Sequence, residues 1–539
     1  MVPRFIRPHI IMRAFFYALK KRKGWFPMVL KVLMLVVFFA VMVFVGFKCR
    51  KHAVDVNGFV LGGRSVGPWL TAFAYGTSYF SAVIFIGYAG QFGWKYGIAS
   101  TWIGLGNAFL GSLLAWVVLG RRTRLMTQHL KSATMPEFFG KRYNSNALKI
   151  GASIIVFIFL IPYTASLYNG LSRLFSMAFN IDYSICIVAM AVLTAVYVIA
   201  GGYMATAVND FIQGIIMLFG IVAVIACVLM QKGGFMASLS QLAQIQDSAA
   251  TDMPGAFASF FGPDPFNLLC VVILTSLGTW GLPQMVQKFY SIKNEKAIEK
   301  GTIISTFFAI VVAGGCYFLG GFGRLFATSE QVAANGFDSI IPSMMSGLPD
   351  ILIGVVVILV LSASMSTLSS LVLTSSSTLT LDLIKGNIVK DMDGKKQLIC
   401  IRGFIVIFIL ISAVIAILQY KSNVTFIAQL MGISWGALAG AFLAPFIYGL
   451  YWKRTTKTAV WVAFIFGVGV MVWNMLFKTT LPAVLQSPIN CGAFAMVAGL
   501  IIVPVVSVLT KAPEKKLVDD AFTCYEETVS VHKKDSLGD

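Results

Sequence analysis

Charged side chains are scarce in this sequence. Asp, Glu, Lys and Arg make up 12% of the 539 residues, whereas soluble domains contain about 25%. Hydrophobic residues make up 58%, and the mean hydropathy is +0.83. This composition excludes an ordinary soluble domain and indicates a protein that crosses a membrane many times.

Residues for common enzymatic chemistry are also missing. The four histidines, at positions 9, 52, 129 and 532, fall in predicted tails or loops, and the eight cysteines are scattered without metal-ligand spacing. No G-x-x-x-x-G-K-[ST] motif occurs, so an ATP-driven pump is not supported. We therefore expect no catalytic residue and no enzymatic activity.

What the chain does contain is a series of apolar runs separated by basic loops. We count about 13 predicted transmembrane helices, which makes the chain an all-α polytopic membrane protein. The net charge of +20 is explained by the positive-inside rule rather than by a nucleic-acid partner. Four basic loops share one side, which we assign to the cytoplasm of a cell-membrane protein: 121–146, 288–300, 385–402 and 453–457. The C-terminus, with a short tail that we expect to be mobile, then also lies in the cytoplasm.

Two of the predicted transmembrane helices are interrupted at mid-depth. Polar and glycyl residues interrupt segment 72–82, and two Gly and one Pro interrupt segment 275–284, where they are expected to break the helix. Gly and Pro are also ordinary packing residues in membrane helices. However, breaks at matching positions, five spans apart, are typical of inverted-repeat transporters with a binding site at the bilayer midplane.

Segment 361–370 carries six hydroxyl side chains inside an apolar run. At 3.6 residues per turn, Ser362, Ser366, Ser369 and Ser370 share one helix face, with Thr367 beside it. Such a row of oxygen atoms suits a small hard cation such as Na+. The alternative is hydrogen bonding between helices.

Asp210 is a carboxylate close to the inner end of another predicted span. An ionisable residue within the membrane is expensive, so it marks a functional site by default. The alternative is an interfacial residue that caps a helix N-terminus.

Taken in order, these segments resemble the sodium:solute symporter family, which includes bacterial proline, pantothenate, galactose and sialic acid carriers. The resemblance covers about residues 57–457. The motifs that carry it are Leu61-Gly62-Gly63-Arg64-Ser65, Met135-Pro136-Glu137-Phe138-Phe139 with Arg142-Tyr143, Gly201-Gly202 with Asp210 and Gln213, and Ser366-Thr367-Leu368-Ser369.

The resemblance implies a leucine-transporter-like fold with a 5+5 inverted repeat. It divides the chain into an N-terminal tail with the first helix (1–66), a first repeat (67–230), an external loop (231–264), a second repeat (265–457), two peripheral helices (458–510) and a cytoplasmic tail (511–539).

The resemblance also implies ion sites. The main Na+ site would take backbone carbonyls of Thr77, Phe80 and Ala363 and the hydroxyls of Ser366 and Thr367. A possible second Na+ site would take Asp210, Ser366, Ser369 and Ser370.

The solute cavity that the family implies has no obvious buried Arg or Lys. Where proline carriers have an acidic residue this chain has Tyr79, and their aromatic residues in the second broken helix correspond to Thr275 and Thr279, which speaks against proline itself. We expect a sugar or amino acid, although helix-end amides could also bind a carboxylate. The expected lining residues are Tyr79, Ser81, Asn107, Tyr163, Thr279, Trp280, Gln284 and Trp435.

These features predict a Na+-coupled symporter that imports a small polar organic solute across the lipid bilayer by alternating access. A passive ion channel and a solute receptor without transport are the alternatives. The stoichiometry of one or two Na+ and the oligomeric state stay open.

Overall fold

Helices account for most of the chain that the structure describes. A computed structural model describes residues 25–179, 182–389, 391–422, 427–526 and 528–529, and these described residues contain no β-strand. The all-α prediction is therefore confirmed. Part of the predicted N-terminal region, residues 1–24, lies outside the described residues.

We number the helices in chain order. They are α1 (Trp25–Cys49), α2 (Val56–Leu61), α3 (Pro68–Tyr79), α4 (83–96), α5 (101–129), α6 (Met135–Arg142), α7 (Asn146–Phe179), α8 (Tyr183–Met230), α9 (Phe235–Ala243), α10 (Pro265–Gly281), α11 (Pro283–Tyr290), α12 (Glu295–Gly320), α13 (Ser329–Asn335), α14 (Ile340–Met345), α15 (Asp350–Ile384), α16 (Gly394–Ser422), α17 (Ile427–Tyr451), α18 (Lys457–Phe477), α19 (Pro488–Leu509) and α20 (Lys515–Thr523).

Ten helical segments of the described chain are long and apolar enough to cross a membrane, and the bent pair of α10 and α11 makes eleven. Two of these segments, Val83–His129 (α4 and α5) and Tyr183–Met230 (α8), have 47 and 48 residues. At 1.5 Å per residue each would extend about 70 Å as a straight helix, whereas a hydrocarbon core is about 30 Å thick. Each is long enough to cross twice. The count of 13 crossings and the domain boundaries stay predictions.

Both predicted interruptions are present, and the residue at each break has nearly the same backbone conformation. Between α3 and α4, Phe80 is extended (φ −90°, ψ 123°). Between α10 and α11, Leu282 has nearly the same conformation (φ −86°, ψ 120°), and the two helices are bent by 47°. A helix that stops in this way leaves its last carbonyl groups without intrahelical partners.

The Gly201-Gly202 motif produces a third break, within α8. Gly202 has φ +54°, and a Cβ there would lie 2.7 Å from the carbonyl oxygen of Phe59, so both its conformation and its surroundings require glycine. Asp210 follows two turns later inside the helix and is completely buried. The alternative that Asp210 caps a helix N-terminus at the interface is therefore wrong.

The Leu61–Ser65 motif connects the ends of several helices. Gly62, Gly63 and Arg64 all have positive φ, and this turn directs the buried Arg64 guanidinium toward backbone carbonyls. It donates to Ser132 (2.6 Å), Thr127 (3.3 Å) and Tyr290 (3.3 Å). The motif thereby joins the start of the first broken helix to the end of the second.

The Met135–Tyr143 motif packs against the C-terminal end of α17. Arg142 Nε donates to the carbonyl of Gly449 (2.9 Å), and the Tyr143 hydroxyl donates to that of Pro445 (2.7 Å). The side chain of Thr134 accepts from the backbone amide of Glu137, which starts the short helix α6. These contacts give the motif a structural role.

The C-terminal tail is ordered as far as it is described, so the prediction that it is mobile is wrong for residues 515–526. Helix α20 buries Val518 and Ala521. The hydroxyl of Tyr525 donates to the carbonyl of Leu450 (2.7 Å), and the Arg122 guanidinium lies 4.5 Å from the Tyr525 ring centre. Its apolar face and its aromatic residues dock it against the ends of α5 and α17.

Gly93 and Gly320 let α4, the second half of the first broken helix, touch the backbone of α12. A Cβ on Gly93 would lie 2.0 Å from the carbonyl oxygen of Gly320, and backbone atoms cannot move aside as a flexible side chain can. We expect Gly93→Ala to destabilise the protein by about 3 kcal/mol, measured as the thermal unfolding midpoint in detergent.

Gly469→Ala is the matched control, because a Cβ there would meet nothing within 4 Å. It should leave the midpoint unchanged or raise it. Equal effects of the two substitutions would contradict the close packing of α4 on α12.

Candidate functional site

The predicted oxygen cluster forms where α15 passes the break between α3 and α4. Ser366 Oγ lies 3.0 Å from the Thr77 carbonyl oxygen and 3.1 Å from that of Ala363. Thr367 Oγ1 lies 3.1 Å from the Ala363 oxygen, 3.3 Å from that of Thr77 and 3.4 Å from that of Phe80. All five oxygens expected for the main Na+ site therefore converge, and both hydroxyl side chains are fully buried.

Oxygen acceptors outnumber hydroxyl protons in this cluster. The carbonyl of Ser78 also lies 3.5 Å from Thr367 Oγ1, so four carbonyl oxygens surround two hydroxyl groups that have one proton each. Among the described residues, no group of three or more His, Cys, Asp or Glu could hold a metal. The arrangement is typical of a site for a singly charged hard cation and not for a transition metal.

The residues expected for a second Na+ site lie beside the first cluster, together with a lysine. Ser369 and Ser370 each donate to the carbonyl of Ser366 (2.9 and 3.1 Å). The Lys288 ammonium donates to Ser370 Oγ (2.9 Å) and lies 3.8 Å from Asp210 Oδ2. The prediction that Lys288 begins a basic loop is wrong, because it lies in α11 and is only 2% exposed.

Aromatic rings predicted to line the solute cavity meet on the other side of the break. The rings of Tyr79 and Trp435 are stacked with centres 6.1 Å apart, and Tyr163 contacts Trp435 edge-to-face at 5.9 Å. All three side chains are at most 2% exposed, so this ring cluster is buried. Helices α3, α7 and α17 each contribute one ring.

Several polar atoms around these rings have no hydrogen-bond partner within the described protein. They belong to Ser81 Oγ, Tyr163 OH, Trp435 Nε1 and both amide atoms of Gln284. Buried polar groups are nearly always paired, and the Tyr163 hydroxyl lies within interaction distance of Ser81 and Trp435. Partners supplied by a bound polar solute would satisfy them.

The remaining predicted cavity residues use their polar atoms mainly in helix packing. Tyr79 OH donates to the carbonyl of Thr275 (2.6 Å), Thr279 Oγ1 to that of Gly111 (3.1 Å) and Trp280 Nε1 to that of Leu110 (3.0 Å). Asn107 Oδ1 accepts from Thr275 and Ser276, whereas its Nδ2 is unpaired. Tyr79 therefore connects α3 with α10, whereas Asn107, Thr279 and Trp280 hold α10 against α5.

Sequence reasoning missed two tyrosines at this site. The hydroxyl of Tyr88 is buried without a hydrogen-bond partner in the described residues, and the buried hydroxyl of Tyr317 interacts with the Asn107 side chain and lies near Tyr163. Both residues occur in ordinary apolar stretches. Their sequence context carries no sign that they point inward.

Comparison with known proteins agrees with this geometry. The model of the sodium:solute symporter family matches residues 59–467, more than half of the chain. "Sodium/proline symporter 2" of Staphylococcus saprophyticus is 30% identical over 461 residues, which cover 83% of this chain and 86% of that protein. "Osmoregulated proline transporter OpuE" of Bacillus subtilis is 28% identical over 491 residues, 90% of this chain and 96% of that protein.

A solved structure supports the fold. The substrate-bound, outward-open state of a Na+-coupled sialic acid symporter superposes with a TM-score of 0.73 at 16% identity, over 90% of this chain and 98% of that one. The leucine-transporter-like fold is thus confirmed. The protein is a multi-pass membrane carrier that uses Na+ as its coupling ion and is not an enzyme, and it belongs to the sodium:solute symporter family.

Proposed function

We propose that this protein imports L-proline together with Na+ by alternating access, with its C-terminus in the cytoplasm. The curated relatives named above, both proline carriers by name, support proline over the sugar that the sequence left open. The differences from the proline carriers at Tyr79 and Thr279 do not exclude proline, because both side chains bond to neighbouring helices.

One observation carries the proposal: the hydroxyls of Ser366 and Thr367 meet the carbonyls freed at the first helix break. A Na+ ion bound there would replace weak hydroxyl–carbonyl contacts by ion–oxygen contacts and hold α15 against α3. Because neutral oxygens alone surround the ion, binding would be reversible, as a carrier requires.

The ion and solute sites share the same break. Phe80 offers its carbonyl to the ion site, while its neighbours Tyr79 and Ser81 face the solute pocket. Fixing the backbone of Phe80 with Na+ therefore also fixes the side chains that contact the solute. Inward release of Na+ would loosen the break and lower the affinity for the solute, which gives coupling.

Proline suits the pocket in shape and charge. Its pyrrolidine ring is apolar on both faces and can stack on Tyr79 or Trp435. Its carboxylate and ammonium groups need hydrogen-bond partners. The side chains of Ser81, Tyr163, Gln284 and Trp435 have polar atoms that could bond to them. These residues carry no formal charge, which matches a zwitterion of zero net charge.

The test is uptake of labelled L-proline into proteoliposomes. An inward Na+ gradient should drive saturable accumulation, an equal K+ gradient should not, and unlabelled D-glucose or sialic acid should not compete. Na+ current without any solute would favour a channel, and proline binding without uptake would favour a receptor. Competition by glucose but not by proline would contradict the proposed substrate.

A further inference from the structure

The Lys288 ammonium is held inside the protein at the place where a second Na+ was expected. It donates to Ser370 Oγ at 2.9 Å, and Ser370 Oγ shares a 2.8 Å hydrogen bond with Ser78 Oγ. Asp210 Oδ2 lies 3.8 Å away, and the ammonium lies 5.2 Å from the ring centre of Tyr203. A carboxylate, a hydroxyl and an aromatic face therefore surround one positive charge.

The elements around this charge are those that form the main ion cluster. Ser78 belongs to α3 and Ser370 to α15, one helical turn from Ser366, whose carbonyl Ser370 also contacts at 3.1 Å. Lys288 reaches this point from α11, the inner half of the second broken helix. The ammonium thus connects both broken helices through α15.

Burial makes this charge an obligatory partner of Asp210. The fully buried Asp210 carboxylate accepts no hydrogen bond from the described residues, and the Lys288 ammonium, 3.8 Å away, is its ion-pair partner. A buried carboxylate needs a cation beside it, because an unpaired charge in a low dielectric is very costly. One cation satisfies it, and Lys288 already supplies that cation covalently.

We propose that Lys288 is a built-in cation that takes the place of a second Na+, so that one Na+ moves with each solute. The inference rests on the proposed function. The Asp210 and Ser370 side chains bind this ammonium and stay out of the ion path. The coupling stoichiometry of this carrier is then set by one side chain of α11.

The test is the membrane potential at which net proline flux vanishes. In proteoliposomes with equal Na+ on both sides and tenfold more L-proline inside, a valinomycin-clamped K+ gradient sets the potential. One Na+ per proline balances the gradient at about −59 mV, and two Na+ balance it at about −30 mV. We expect about −59 mV for the unaltered protein, and a value near −30 mV would overturn the inference.

Substitutions test the role of the side chain itself. Lys288→Met leaves Asp210 free to take a second Na+, so the activation of uptake by Na+ should become sigmoidal and the balance potential should move to about −30 mV. Lys288→Arg keeps the cation and should stay near −59 mV, as should Lys296→Met, which removes an exposed lysine. A Lys288→Met protein with unchanged, hyperbolic Na+ activation would contradict the proposal.

The two proposals fail in different ways. Absence of any Na+-driven proline uptake by the unaltered protein would remove the proposed function. Uptake with two Na+ per proline would keep that function and remove only the role given to Lys288.

Discussion

Combined replacement of Ser366 by Ala and Thr367 by Val should raise the Na+ concentration for half-maximal proline uptake at least about 100-fold. Each substitution removes one of the two side-chain oxygens of the main cluster and nearly preserves the side-chain volume. A contact between a charge and a hydroxyl contributes about 1.5–3 kcal/mol, so two such losses amount to about 3 kcal/mol or more. The measurement is the Na+ dependence of initial uptake rates in proteoliposomes.

Ser364→Ala is the matched control for this experiment. Ser364 lies on the same helix and is equally buried, but its hydroxyl donates to the carbonyl of Val360 within that helix. Its loss should leave the Na+ dependence unchanged. A double variant of Ser366 and Thr367 with normal Na+ affinity would show that the ion binds elsewhere.

Asp210→Asn should destabilise the protein by about 3 kcal/mol. Asparagine has nearly the same shape, but it leaves the Lys288 ammonium buried without its counter-charge. Removing one partner of a buried ion pair typically costs 3–5 kcal/mol, and the hydrogen bond from Lys288 to Ser370 offsets a part of this cost. The unfolding midpoint of the purified protein in detergent reports the loss.

Two further variants separate the charge effect from general damage. Adding Lys288→Met to Asp210→Asn removes the unpaired charge and should restore a large part of the stability. Asp519 lies on the tail and forms an exposed ion pair with Lys453. Asp519→Asn breaks this pair and should leave the unfolding midpoint unchanged. If the double variant is no more stable than Asp210→Asn alone, Asp210 and Lys288 do not act as a pair.

The main features of the fold were predictable because membrane burial leaves strong local signals. Gly, Pro and hydroxyl side chains inside an apolar run are unusual enough to indicate a broken helix. The structure has breaks at Phe80 and Leu282, within the two segments in which they were predicted. The family resemblance assigned Ser366 and Thr367 to an ion site with the first break, and the structure brings both hydroxyls to that break; that they bind Na+ stays a prediction.

The position of Lys288 could not be derived from the sequence. It stands just before three more lysines of a basic loop, at positions 293, 296 and 300, so its surroundings favour a cytoplasmic location. Only the tertiary fold, which brings α11 against α8 and α15, gives it Asp210 and Ser370 as partners.

The free polar atoms of the solute pocket depend on packing in the same way. Trp280 and Trp435 are both tryptophans in apolar segments, yet one indole N–H bonds to Leu110 and the other has no partner in the described protein. Which polar atoms are left for a solute follows from contacts between distant helices. Residue type and spacing do not contain that information.

Na+ entry driven by a proline gradient tests the coupling of Na+ and proline most directly. Proteoliposomes with equal Na+ on both sides receive an inward gradient of L-proline, with the potential clamped at zero, and entry of labelled Na+ is followed. We expect net Na+ entry that stops when the proline gradient collapses. In the Ser366→Ala, Thr367→Val double variant this Na+ entry should be absent. Proline entry without any net movement of Na+ would contradict it.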